Sequence, residues 1–199
     1  MRECVLVFMK KIVEICIVLA KTTDYEINAV ASYILKKNMK YTDTQIGFQE
    51  FPDEISLLIN ISNCPFHCPG CHSPELWEDI GNELNYDEVE KLINKNKGIT
   101  CIGFMGGKPE EVNLLAEYIK RNITYLKTGW YWGGEIFPKE INPMNFDYIK
   151  LGPYIEKLGG LNNPNTNQRM YKYIPGFNDP RENDDWIDIT YKFWKHGNY

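Results

Sequence analysis

Three cysteines, Cys64, Cys68 and Cys71, fall within eight residues, directly behind the apolar run 55–61 (ISLLINI). Such a run is what a strand buried on both faces requires, so the cysteines occupy a loop leaving the end of a core strand. The loop reads CPFHCPGCH, and its Pro65, Pro69 and Gly70 oppose regular structure. They count against reading the thiols as core packing. The other cysteines, Cys4, Cys16 and Cys101, are scattered. A disulfide framework would spread its cysteines through a small secreted domain. Close clustering points instead to metal or redox chemistry in a reducing compartment, with the cytoplasm as the expected location.

The segments after the loop set the fold class. Asn85 and Glu88 have the spacing of a capping box, ahead of a helix with Val89, Leu92 and Ile93 on one face. Residues 100–105 (TCIGFM) read as a second strand, followed by Gly106 and Gly107. Pro109 suits a first helical position, and Val112, Leu115, Ala116 and Ile119 continue at helical spacing. Residues 124–132 and 147–151 read as further strands. Strands alternating with helices of these lengths predict right-handed βαβ units and a parallel α/β sheet. The cysteine loop and the Gly-Gly turn then project from the carboxyl ends of neighbouring strands, where such folds keep their active sites.

Composition narrows the function classes. The 199 residues are 43% hydrophobic and 25% charged, which is ordinary globular composition for one sizeable core. A net charge of −5 argues against nucleic acid as the main partner, because phosphate binding needs a basic footprint. No apolar stretch runs to membrane-spanning length, so no membrane partner is expected. Residues 1–38 place Val5, Phe8, Ile12, Ile15 and Leu19 at loosely helical spacing, while Lys10, Lys11 and Glu14 interrupt what would be a signal-peptide core. They read as an N-terminal extension to a core domain over 39–175, with a polar, then aromatic, tail over 176–199.

Three thiolates in one short loop can grip three irons of a cubane cluster, leaving a fourth iron open to a small molecule. Zinc competes, since His67 or His72 would complete a Cys₃His set, and the spacing alone admits both metals.

Longer stretches carry a family likeness. Residues 64–77 (CPFHCPGCHSPELW), 104–107 (FMGG), 147–155 (DYIKLGPYI) and 166–169 (TNQR) together resemble the anaerobic ribonucleoside-triphosphate reductase activating proteins, within the radical S-adenosylmethionine (SAM) superfamily. The likeness covers residues 39–173, and CHSPELW is its most specific part. It implies a partial (β/α) barrel with parallel strands, holding a [4Fe–4S] cluster on Cys64, Cys68 and Cys71, which are both its metal ligands and its catalytic residues. SAM would chelate the open iron, and one electron would cleave it to methionine and a 5′-deoxyadenosyl radical. In that family the radical takes a hydrogen atom from a glycine of the large reductase subunit. A flavodoxin or ferredoxin would supply the electron. Backbone groups at Gly70, Cys71 and His72 would lie near the SAM adenine, and Gly106 and Gly107 near its methionyl end. An activase of another glycyl-radical enzyme, of the pyruvate formate-lyase type, and a non-catalytic zinc or iron–sulfur module are the alternatives.

The likeness also brings departures. Gly70 stands where radical SAM loops commonly carry an aromatic residue, as it does in the reductase-activating proteins. Lys108 follows Gly107, where an acidic residue is usual. Thr128, Tyr131 and Lys150 fall toward strand ends, where they would line a SAM channel or pack in the core. Cys101 reads as a small core hydrophobe, His67 and His72 as neighbours that pack or tune a cluster, and His196 as solvent-facing.

Overall fold

A computed structural model describes residues 39–176 and 185–194. Cys4, Cys16, His196 and the proposed extension over 1–38 lie outside them. The strands are β1 (Lys40–Gly47), β2 (Ser56–Ile61), β3 (Asn82–Glu83), β4 (Cys101–Gly106), β5 (Lys127–Tyr131), β6 (Tyr148–Leu151), β7 (Arg169–Tyr173) and β8 (Trp186–Asp188). The helices are α1 (Tyr86–Lys95) and α2 (Pro109–Asn122). All eight strands join one sheet in the order β3-β1-β2-β4-β5-β6-β7-β8.

The centre of the sheet follows the apolar pattern. β2, β4, β5 and β6 run parallel, with Ser56 opposite Cys101, Cys101 opposite Lys127 and Gly129 opposite Tyr148. They are buried along most of their length, as strands covered on both faces must be. One face packs under both helices: Leu57, Ile59, Ile102, Phe104, Trp130 and Ile149 meet Val89, Leu92, Val112, Leu115 and Ile119. Having both helices on one face is the consequence of right-handed crossovers that each add the next strand on the same side.

The expected run of β/α units ends with α2: β5 passes to the parallel β6 through 132–147 with only a 3₁₀ turn at Pro143–Asn145. β7 and β8 turn back antiparallel, as do β1 and β3 at the other edge. The architecture is therefore a mixed α/β sheet, parallel at its centre, in place of a fuller run of barrel units. The connection over 152–168 contains Pro153, Gly159, Gly160 and Pro164, which break a helix before it can form. The chain then returns antiparallel beside β6.

The helix ends were legible in detail. Asn85 accepts the Glu88 backbone N–H at 3.0 Å. The capping box is half made, however, because the Glu88 carboxylate instead accepts from Tyr41 Oη (2.9 Å) and Lys91 Nζ (3.3 Å). On the face away from the helices, Phe51 fills the space left by two strand glycines. A Cβ at Gly103 would stand 2.4 Å from its ring, and one at Gly129 2.3 Å.

Candidate active site

The cysteine loop is laced across its base. Asn63 and Cys64 donate backbone N–H groups to the carbonyls of Glu78 (3.0 Å) and Leu76 (2.8 Å), and buried Leu76 anchors the return. Between the second and third thiols, the Cys71 N–H donates to the Cys68 carbonyl at 3.0 Å. The Ser73 N–H points at Cys71 Sγ, 3.4 Å away, the kind of donor a thiolate accepts. His67 stacks on Trp77 with centroids 5.1 Å apart and planes 9° apart. Phe66 meets Trp132 edge-on at 4.4 Å.

Cys64, Cys68, Cys71 and His72 border one cavity of about 510 Å³. Its floor comes from successive parallel strands: Asn60 of β2, Met105 and Gly106 of β4, Tyr131 of β5 and Lys150 of β6. The cavity thus opens at the carboxyl ends of the strands, as the loop order required. Of the three strand residues left between channel and core, Tyr131 and Lys150 border it. Thr128 lies buried elsewhere and donates to the Asn145 carbonyl at 2.6 Å.

The two turn glycines have different surroundings. A Cβ at Gly106 would stand 3.1 Å from the Ile61 carbonyl and 3.6 Å from Cys64 Cβ, and at φ +84° a side chain there would be strained. A Cβ at Gly107 would press on Val112 (2.8 Å) and Ile61 (2.9 Å), toward the helix layer. Gly70 borders Tyr154 and Glu156, whose atoms stand 3.6 Å and 3.5 Å from where its Cβ would be. Lys108 caps the start of α2, its carbonyl accepting from Val112 at 3.0 Å, and it does not border the cavity. Its charge acts on Glu111, whose carboxyl is pushed up by burial and partly drawn back by the lysine.

Lys150 is the cation of the site. It is 6% exposed, donates to the Gly152 carbonyl at 2.9 Å and lies 5.4 Å above the Tyr131 ring. Burial lowers its pKa to about 8, against the pull of Cys68, Cys64 and Cys71 in the opposite direction. Burial also pushes the Cys64 thiol up. A buried ammonium facing three thiols is a counter-charge for an anionic group built on them. Among the described residues no three His, Cys, Asp or Glu converge on a point that could hold a single metal ion. The donor set of three thiols in a roomy cavity fits a three-cysteine cubane with space beside it for a small molecule.

Sequence reasoning missed Phe51, Tyr154 and Gln168, of which the last two border the cavity. The DYIKLGPYI and TNQR stretches were the signal that would have found the last two. Cys101, in contrast, is fully buried in the sheet, as a small hydrophobe would be.

Comparison with known proteins agrees with this chemistry. Residues 55–150 match the family described as a 4Fe-4S single cluster domain. A PqqA peptide cyclase from Bradyrhizobium diazoefficiens is 31% identical over 75 residues, 36% of this chain and 20% of that protein. The matched region thus spans about a fifth of the length of that curated relative. No solved structure matches the chain. The two matches support a radical SAM-type iron–sulfur protein as the class, with a [4Fe–4S] cluster and SAM as its cofactors, and they single out no particular activity. Among the described residues no helix is long and apolar enough to cross a membrane.

Proposed function

We propose that this protein is a radical SAM activase that installs the glycyl radical on anaerobic ribonucleoside-triphosphate reductase. The observation that carries the reading is the shared cavity, which faces three loop thiols and a buried lysine across the carboxyl ends of parallel strands. The finer assignment rests on the residue stretches 64–77, 147–155 and 166–169. A cluster held by Cys64, Cys68 and Cys71 would supply the one electron needed for the cleavage of SAM and hydrogen-atom abstraction from the partner's glycine.

The chain's own residues do the rest. Cys64, Cys68 and Cys71 would hold the cluster through their thiolates. Lys150 offsets the negative charge of the thiolates. Phe66, Trp77 and Tyr131 wall the cavity with aromatic surface, which excludes bulk water from a reactive radical. The partner would present a glycine-bearing loop at the open mouth, and a low-potential flavodoxin or ferredoxin would reduce the cluster.

Anaerobic reconstitution with iron and sulfide, followed by reduction with SAM, should yield methionine and 5′-deoxyadenosine. Adding the reductase should give the electron paramagnetic resonance doublet of a glycyl radical. Cys64→Ala, Cys68→Ala and Cys71→Ala should each lose cluster and cleavage, whereas Cys101→Ala should keep both. A colourless protein with stoichiometric zinc would sink the enzyme reading. A radical formed on pyruvate formate-lyase but not on the reductase would move the assignment to that alternative.

A further inference from the structure

We infer that Tyr154 is the stacking platform for the adenine ring of SAM, held in place by the Asn167–Gln168 pair of the loop that follows it. The inference rests on the SAM-dependent reading above. SAM carries one aromatic group, its purine, and a purine in a protein cavity is held by stacking on a ring with a free face.

The rings bordering the cavity are not equally free, and Phe193 among them is packed against the core cluster of Phe51, Leu58 and Tyr148. Phe66 is wedged between Trp132 and the Gly133 backbone, where a Cβ would lie 2.5 Å from its ring. Trp77 has one face covered by His67. Tyr131 is closed in by Phe51 at 5.5 Å and Lys150 at 5.4 Å, and its hydroxyl donates to the Glu50 carbonyl at 2.9 Å. Tyr154 is half-buried and borders the cavity, and its ring pairing among the described residues is a tilted contact with His72 at 4.9 Å and 51°. It stands beside the residue before the third cysteine, its ring 3.6 Å from where a Gly70 Cβ would lie. With Gly70 at φ +76°, a side chain at that position would be strained, so the ring is supplied from the facing loop.

That loop is fixed where a platform needs to be. Asn167 Nδ2 donates to the Pro153 carbonyl at 2.9 Å. Gln168 Nε2 (3.4 Å) and Lys150 Nζ (2.9 Å) both donate to the Gly152 carbonyl. Three side chains from β6 and the following loop thus clamp the two peptide groups immediately before Tyr154, which gives the TNQR stretch a physical task.

Equilibrium binding of SAM to the anaerobically reconstituted protein tests this, read by calorimetry beside the cluster absorbance. Tyr154→Phe should bind SAM like wild type. Tyr154→Leu, which keeps apolar bulk against His72 and Gly70, should bind about five- to a hundredfold more weakly, or ~1–3 kcal/mol at 1.4 kcal/mol per tenfold. Cluster absorbance should be equal in all three. Wild-type affinity in Tyr154→Leu would overturn the platform and leave the SAM reading standing, as would loss of affinity in Tyr154→Phe. A Tyr154→Leu protein that lost its cluster would show the ring to support the cysteine loop, again overturning the inference. No SAM binding by cluster-loaded wild type would overturn the parent reading itself.

Discussion

At the scale of single residues, Lys150 is the most informative side chain. An ammonium 6% exposed is unfavourable unless something requires it, because burial penalises the charged form. Its pKa of about 8 in the folded protein compares with about 10.4 for a free lysine. A folded-state pKa below the unfolded one means that protonation opposes folding. The penalty is full below pH 8, and it fades as pH rises from 8 toward 10.4, where the unfolded chain holds more protons than the folded one. At 1.36 kcal/mol per unit, the shift corresponds to a penalty on the order of 3 kcal/mol in the cluster-free protein. Lys150→Met should therefore stabilise the cluster-free protein at pH 7, by up to about 3 kcal/mol, and flatten the rise in stability between pH 8 and 10. Urea unfolding at the two pH values measures both. In the loaded protein the same change removes a positive charge beside the thiols, which should lower the cluster reduction potential. A Lys150→Met protein less stable than wild type at pH 7 would show the lysine to be structural.

At the scale of elements, the sheet face that carries the site depends on one close fit. Phe51 lies across β4 and β5 only because Gly103 and Gly129 have no side chains, and its ring also meets Tyr131 and Tyr148 at 5.5 Å and 5.7 Å. Gly129→Ala would place a methyl 2.3 Å from that ring. It should destabilise by about 1–3 kcal/mol, the usual effect of overpacking, measured by urea midpoint. Gly129→Ala combined with Phe51→Leu should recover part of that loss, giving a coupling of at least about 0.5 kcal/mol. Strict additivity would mean that ring and glycine do not share the space. Such a fit is invisible in sequence, because nothing local links residue 51 to residues 103 and 129. The strands and helices were legible for the opposite reason: β2, β4, α1 and α2 announce themselves by apolar period and by the Asn85 and Pro109 starts. The three thiols were legible because they are adjacent in the chain. Tyr154 and Gln168 reach the cavity by tertiary placement, with only the DYIKLGPYI and TNQR stretches to hint at them, and β7 and β8 are too short and too partly buried to show a period.

Across the whole molecule, the two ends of the parallel strands do different work. At the amino end, buried Glu54 accepts from Thr100 Oγ1 at 2.7 Å and Tyr148 Oη at 2.8 Å and pairs with Lys127, tying four segments together. At the carboxyl end there are loops, thiols and a cavity, with few backbone bonds holding residues 62–78. The core between them is closed by apolar side chains drawn from both helices and six strands, so its stability does not depend on metal as a zinc finger's does. Binding a cluster should therefore order the carboxyl-end loops and leave the sheet unaffected. Chelating iron from the reconstituted protein should speed amide hydrogen exchange at residues 63–78, and at 152–162 where the facing loop borders the same cavity. The amides of β2, β4 and β5 should keep their protection, because they open only with the global unfolding of the sheet. Adding SAM to the loaded protein should slow exchange in both loops together, since a ligand bridging them stabilises only the state in which both are closed. If β4 and β5 lost protection along with the loops, the cluster would be part of the folding core, and the separation of a stable end from a working end would fail.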